Sequence, residues 1–396
     1  MPASILILKF PYSSLLGGGE LHTVGLVENL KKKGFNFYLV SSCSVLLSLF
    51  KKENWPSEKI WLGKEPVTPF SVLLFFIFSP YFIFRLFFIL LWYKIKYRTK
   101  ILYCLSLTEK LLAFLAFFLG YRIFWIEHQY PEAWLALNPF LFLYRLNSRF
   151  AKIIAVSYAV QNRLIELGIK PRHIKVIYNG IDLDQLKAQN AKLKTTTKNL
   201  KLVIGAACRL SKEKAVDDLI RAFAKIIKKY QNVELWIAGT GPERKNLENL
   251  VMNLGLNNKV KFFGWQEDIY NFLNKLDIFA LTPYRRESFG LAVAQAQARG
   301  LAAVVTNIGG LGEVVENEKT GFVVKAKDIN AIVAAITKLI KNSILREKMG
   351  KAGQERVKKL FSQEKMIEEF EKEFKPTNLN VKAQITNQTQ SSKSKY

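Results

Sequence analysis

Glu287-Ser288-Phe289-Gly290 decides how this chain is read. A strand-like run, Ile278-Phe279-Ala280-Leu281-Thr282-Pro283, precedes it, and a helix-like run from Leu291 to Arg299 follows. A carboxylate and a glycine where a strand gives way to a helix mark a place where α/β proteins bind anions. The first turn of a helix presents unpaired backbone N–H groups and a partial positive charge. A phosphate can rest on those amides while the carboxylate of Glu287 reaches whatever the phosphate carries. Just beyond, Thr306-Asn307-Ile308-Gly309-Gly310 reads as a second strand-to-loop transition with paired glycines.

The same alternation extends in both directions. Strand patterns at 202–207, 233–238, 259–263, 277–282 and 302–305 are separated by helix patterns at 216–230, 242–254, 267–274 and 290–299. Further helices are expected at about 329–341 and 343–375, with breaks. In the first half, Ile5-Leu6-Ile7-Leu8, Phe37-Tyr38-Leu39-Val40, 101–103, 122–126 and 153–156 read as strands. Glu20 to Lys33 carries Leu21, Val24, Val27 and Leu30 on one helical stripe. Strands alternating with helices predict parallel sheets covered on both faces. With 396 residues, 49% of them hydrophobic, the chain is long enough for two such cores. The expected division is a domain over 1–180, a second over 181–360, a helix at 361–375 and a disordered polar tail at 376–396. Leu186 to Lys201, polar and Lys/Thr-rich, reads as a loop between the halves.

Several short motifs follow one another along the chain. They are Gly17-Gly18-Gly19-Glu20, Asn179-Gly180-Ile181-Asp182, Arg209-Leu210-Ser211-Lys212-Glu213-Lys214, Gly239-Thr240-Gly241-Pro242-Glu243, Val260 to Gly264, and Asp277 to Val324. Together they resemble the retaining glycosyltransferases of family four, and the collinear likeness covers about four-fifths of the chain. That resemblance implies the GT-B fold, two Rossmann-like domains facing each other across a cleft. It also implies a metal-independent transfer, with retention, of a sugar (a hexose is expected) from a nucleotide-diphosphate donor to an acceptor hydroxyl. The donor is a co-substrate, and no cofactor is expected. The last helix is expected to return to the first domain.

The resemblance assigns roles residue by residue. Arg209 and Lys214 would neutralise the leaving diphosphate, and Glu287 would hold the sugar. Ser288, Phe289, Gly290 and Leu291, at the helix start, would meet the donor, as would the loop carrying Gly239 and Gly241. His128, in Ile126-Glu127-His128-Gln129-Tyr130, would lie against the transferred sugar. Gly17, Gly18, Gly19 and Glu20 would close over the diphosphate and border the acceptor. Where the family carries a second acid that grips the ribose, this chain has Gln295, which can hydrogen-bond but brings no charge. Cys208 and Ala215 replace glycines on either side of the Arg–Lys motif, which predicts slightly altered backbone angles with the charges kept.

The residue types themselves fit this chemistry. Arg binds phosphate bidentately and Lys adds a compact charge; the plainer alternative is a solvated basic loop. Glu287 also suits a first-turn carboxylate serving the helix dipole, the glycine run a simple turn, and His128 a polar loop residue. Asp182-Leu183-Asp184 spells a metal-binding D-x-D, but it follows the Asn-Gly boundary, so no catalytic metal is expected. Gly239-Thr240-Gly241 begins a dinucleotide fingerprint whose third glycine is replaced by Arg244, which argues against hydride chemistry.

A net charge of +27 favours anionic partners. Helix-turn-helix and interleaved aromatic–basic patterns are not seen, so nucleic acid is not expected. Three scattered cysteines fit a reducing cytosol, and the N-terminus does not read as a secretory signal. From Val72 to Tyr93 the chain is nearly all Phe, Leu and Ile, broken by Pro80 and Arg85 and followed by Lys94, Lys96, Arg98 and Lys100. Within 70–100 this is a buried helix pair, an interfacial membrane element or a span. The basic cluster favours the interfacial reading. The expected location is therefore cytoplasmic, peripheral on the cytosolic face of a membrane, with a sugar or lipid-linked acceptor of cell-envelope polysaccharide synthesis. A nucleotide-sugar epimerase of the same architecture and a basic lipid- or nucleic-acid-binding module without turnover are the competing classes.

Overall fold

The computed structural model describes residues 3–14, 16–186, 201–285 and 287–375. Most of the loop expected at Leu186 to Lys201 and the tail expected at 376–396 lie outside the described residues. Two parallel sheets are built, each with helices on its faces. The first has seven strands in the order β3-β2-β1-β4-β5-β6-β7: β1 (Ser4–Lys9), β2 (Asn36–Ser41), β3 (Ser57–Lys59), β4 (Ile101–Cys104), β5 (Arg122–Glu127), β6 (Ala151–Ala155) and β7 (Ile174–Val176). The second has six in the order β10-β9-β8-β11-β12-β13: β8 (Leu202–Ala207), β9 (Val233–Ala238), β10 (Val260–Gly264), β11 (Ile278–Leu281), β12 (Ala302–Thr306) and β13 (Gly321–Val324). All pairs are parallel, as continuous apolar strands covered on both faces require. Ile5, Leu6, Ile7 and Leu8 are fully buried, and so are Ile278, Phe279 and Ala280.

The helices form where apolar spacing gives them a face to bury. In Val216–Ile227, Leu219, Ile220, Phe223 and Ile226 point inward while Asp217 and Asp218 occupy the positive first turn. The final helix, Gln363–Phe374, crosses back to the first sheet. Phe370 and Phe374 bury their rings against Tyr103 and Phe124, and Glu369, Glu371 and Glu373 pair with Lys175, Lys33 and Lys152.

Pro80 does not divide the apolar run into two helices. One helix, Pro69–Tyr97, runs through it. Proline removes the N–H that would bond the carbonyl four residues back. Here Ser79 Oγ donates to that carbonyl, Phe76 O, at 3.0 Å. Thr68 and Ser71 close a capping box at the start.

Candidate functional site

In open parallel sheets, ligands bind beyond the carboxyl ends of the strands, where the chain reverses its direction of travel across the sheet. That point lies between β1 and β4 in the first sheet and between β8 and β11 in the second. The loops after β1, β5, β8, β9 and β11, with the helices that follow them, hold the predicted residues.

In the second half, the loop after β8 ends in a short turn, Lys212–Lys214. Ser211 Oγ donates to Glu213 Oε1 at 2.5 Å, and the Tyr284 amide donates to the Glu213 carbonyl at 3.1 Å, tying this loop to the one after β11. Lys214 Nζ then reaches Glu287 Oε2 in an ion pair, both side chains about one-fifth exposed. Burial works against the Lys214 charge, but the Glu287 carboxylate more than offsets it, and the ammonium pKa lies above its ordinary value. Arg209 is exposed, and its guanidinium makes no hydrogen bond or salt bridge to the described residues. Burial pushes the neighbouring Cys208 thiol up to about 12, so it stays protonated.

Ala215 corrects the expectation of altered angles. Its φ of 46° and ψ of 44° are the left-handed conformation that glycine favours. For an L-residue this costs about 1–2 kcal/mol, partly offset by the greater freedom of an unfolded glycine. Ala215→Gly is expected to stabilise the protein by about 0.5–1 kcal/mol, read as a rise in melting temperature.

Gly239 and Gly241 owe their identity to close backbone approach. A Cβ at Gly239 would lie 1.9 Å from the Cys208 carbonyl oxygen, and one at Gly241 2.3 Å from that of Leu210. They hold the Arg209 loop in place, an indirect role relative to donor contact. Gly309, at φ +55°, serves Glu287 in the same way, since a Cβ there would lie 2.0 Å from the Glu287 carbonyl oxygen. The Gly310 amide donates to that oxygen at 2.8 Å. Gly290 caps the helix Leu291–Ala298. Phe289 points into the core, 2% exposed, against Tyr178 and Phe361. Gln295 is half-buried and hydrogen-bonds Tyr270, whose phenol burial pushes up to about 12 despite that bond.

In the first half, Gly17 caps the helix Gly18–Lys32. A Cβ at Gly19 would sit 3.3 Å from His128 Cδ2, and one at Gly18 3.5 Å from Leu291 Cδ2. The glycine run thus touches both His128 and the start of the helix in the other half. Glu20 pairs with Lys9, the last residue of β1. His128 Nε2 is shut off from solvent without a hydrogen-bond partner among the described residues, and the ring meets His22 edge-on at 4.6 Å. Burial first, then His22, Lys9 and Lys110, push the His128 pKa well below its ordinary value. A neutral imidazole can both donate to and accept from a hydroxyl. His128 and Glu287 are not bonded to each other.

Burial holds His22 at about 4, against 6.5 for a free imidazole. Above pH 6.5 both the folded and unfolded states are neutral there. Below it the unfolded chain takes up a proton that the folded protein refuses, and stability falls by up to about 1.4 kcal/mol per pH unit. His22→Leu is expected to flatten this slope between pH 6.5 and 4, measured by urea midpoints across the range.

The halves meet through residues that sequence reading missed. Glu313 accepts the amides of Tyr158 (2.9 Å) and Ala159 (2.7 Å) and the Tyr178 hydroxyl (3.0 Å), capping a helix of the other half. Ser157 Oγ donates to the Ser288 carbonyl at 2.5 Å. These partners lie more than 130 positions apart, beyond any local signal. Lys9 was recognisable as a charge ending a buried strand. Asp182 accepts the amides of Asp184 and Gln185 as a turn cap.

A model for Glycosyltransferase Family 4 matches residues 16–185, and one for Glycosyl transferases group 1 matches residues 185–356. The chain is 31% identical over 227 residues to the N-acetyl-alpha-D-glucosaminyl L-malate synthase of Bacillus anthracis, over 55% of this chain and 58% of that protein. It is 33% identical over 224 residues to the capsular polysaccharide biosynthesis glycosyltransferase CapM of Staphylococcus aureus, over 56% and 57% respectively. The likeness thus spans a little over half the length of these relatives. Anabaena HepE in complex with UDP superposes with a TM-score of 0.76 over 93% of this chain and 98% of its own, at 21% identity. The shared fold is GT-B.

Proposed function

Since this chain belongs to the family-four glycosyltransferases, we propose that it transfers a sugar, with retention and without a metal, from a nucleotide-diphosphate donor to an acceptor hydroxyl. The observation that carries this reading is the Lys214–Glu287 pair at the switch point of the second sheet, beside the start of the helix Leu291–Ala298. The donor diphosphate draws Lys214 away from Glu287, and the freed carboxylate takes sugar hydroxyls. Arg209, Lys214 and the helix N-terminus stabilise the charge that grows as the bond from the anomeric carbon to the phosphate oxygen breaks. The acceptor oxygen bonds that carbon from the same face, and its proton passes to the departing phosphate oxygen. Neutral His128, part-exposed at the end of β5, hydrogen-bonds a sugar hydroxyl.

The capsular relative supports an acceptor of cell-envelope polysaccharide synthesis. To this the proposal adds a lipid-linked acceptor met at the cytosolic face of the membrane, on the apolar and basic run within 70–100. The test is a thermal-shift screen of UDP-, GDP- and ADP-sugars, followed by product analysis in the presence of a chelator. A donor at 100 times its Kd adds about 2.7 kcal/mol of stability. Transfer with the donor's anomeric configuration kept, in chelator, is expected. An inverted product, dependence on a metal, or conversion of the donor sugar without transfer would overturn the corresponding part.

A further inference from the structure

The helix Pro69–Tyr97 has 29 residues, about 43 Å of length. Phe75, Phe82, Leu86, Leu90 and Tyr93 form one stripe, buried in the first domain. The opposite face by helical spacing is open. Phe70, Phe76, Phe84 and Ile95 are 71%, 69%, 65% and 72% exposed, and only 17% of the helix's most apolar stretch is buried. The Ser79 bond to Phe76 O keeps this face continuous through Pro80. At its end Lys94 reaches the Gly120 carbonyl at 3.5 Å, which brings exposed Phe118 alongside. A contiguous apolar surface of this kind marks an interaction site.

Charge identifies the partner. Between Glu65 and Glu109 the chain has no acidic residue, while Arg85, Lys94, Lys96, Arg98 and Lys100 all fall there. Lys96 Nζ stands 4.4 Å from the centre of the Trp92 ring, pairing a cation with an amphipathic aromatic at the edge of the apolar face. Apolar side chains beside basic and aromatic ones suit the boundary between acyl chains and anionic headgroups. The strands on either side, β3 and β4, belong to one sheet, and the buried stripe fastens the helix along its length to that domain. Crossing the bilayer would part the helix from this packing; lying in the interface does not.

We propose that this face docks the first domain on an anionic lipid bilayer, the helix Pro69–Tyr97 lying in the plane of the interface. It uses none of the residues assigned to transfer, and it deepens the membrane-side part of the proposed function by naming the surface that meets the bilayer. The test is flotation of the full chain with phosphatidylcholine vesicles, with and without phosphatidylglycerol. At low salt, binding to the anionic vesicles is expected to exceed binding to the neutral ones at least tenfold, and alkaline carbonate is expected to release the protein. Phe76→Asp with Phe84→Asp should lower binding at least tenfold with melting unchanged, Lys96→Glu with Arg98→Glu should abolish the preference for anionic lipid, and Glu287→Ala should bind as wild type does. Absence from anionic vesicles at low salt would overturn the proposal. So would retention through the carbonate wash, which marks a span, or a dimer lost in the Phe76/Phe84 variant with no vesicle binding, which marks self-association.

Discussion

Replacing Glu287 with alanine is expected to lower sugar transfer by about 10²–10³ while leaving the fold intact, the range for losing one preorganised polar group at a reacting centre. A carboxylate that aligns the sugar acts mainly in the transition state, so kcat should fall more than KM rises. The structural cost is modest. The Lys214–Glu287 pair is mostly buried and its loss costs about 1–3 kcal/mol. The Glu287 backbone is held independently by Gly310 N–H and the close approach of Gly309. Initial-rate kinetics with the donor found in the screen provide the measurement. Turnover equal to wild type would return Glu287 to a helix-start carboxylate and Lys214 to its surface partner.

Replacing Lys110 with methionine is expected to be the most destabilising of these changes, by about 3–5 kcal/mol. The Lys110 and Glu127 side chains are each 4% exposed, with Nζ 2.6 Å from Oε1. Lys110 also donates to the Ile126 carbonyl at 2.8 Å, and the Tyr144 hydroxyl donates to the same Glu127 oxygen at 2.6 Å. Methionine fills similar space but leaves Glu127 buried with one hydrogen bond and no counter-charge. Glu127 ends β5 and is followed by His128, so the imidazole's position depends on this network. Urea unfolding followed by tryptophan fluorescence reads the loss, since Trp125 lies on the same strand. Adding Glu127→Leu should restore most of it, because removing both partners costs far less than removing one. An unchanged midpoint in the single variant would mean that the carboxylate does not rely on Lys110.

Much of the architecture was legible because its signals are local. Short unbroken apolar runs such as Ile5–Leu8 and Ile278–Leu281, each followed by a glycine-bearing loop and a helical segment, read as strands buried on both faces. The strands that escaped reading are β3, β7 and β13; β13 is a short apolar run of four residues, and the other two lack that signal. β3 is Ser-Glu-Lys, wholly exposed, and is a strand only because β2 offers it an edge. β7 has three residues, paired through β6. Pro80 locally reads as a break, but the helix runs through it, its buried stripe packed on the first domain before and after the proline and Ser79 Oγ bonding the freed Phe76 carbonyl. At the candidate site, residue types and spacing named Arg209, Lys214, Glu287 and His128. They did not reveal that Gly239, Gly241 and Gly309 act through loop-against-loop contact, that His22 meets His128 edge-on, or that Glu313 joins the halves.

By itself, then, the sequence determined two parallel α/β units, the family they belong to and the charged groups at their strand ends, because periodicity, turn chemistry and motif order are written in neighbouring residues. Tertiary structure alone decided which charges pair, Lys214 with Glu287, Lys9 with Glu20 and Lys110 with Glu127, and which face of Pro69–Tyr97 stays uncovered. Those outcomes depend on distances between segments far apart in the chain, and on how completely one surface covers another, quantities that no run of adjacent residues contains.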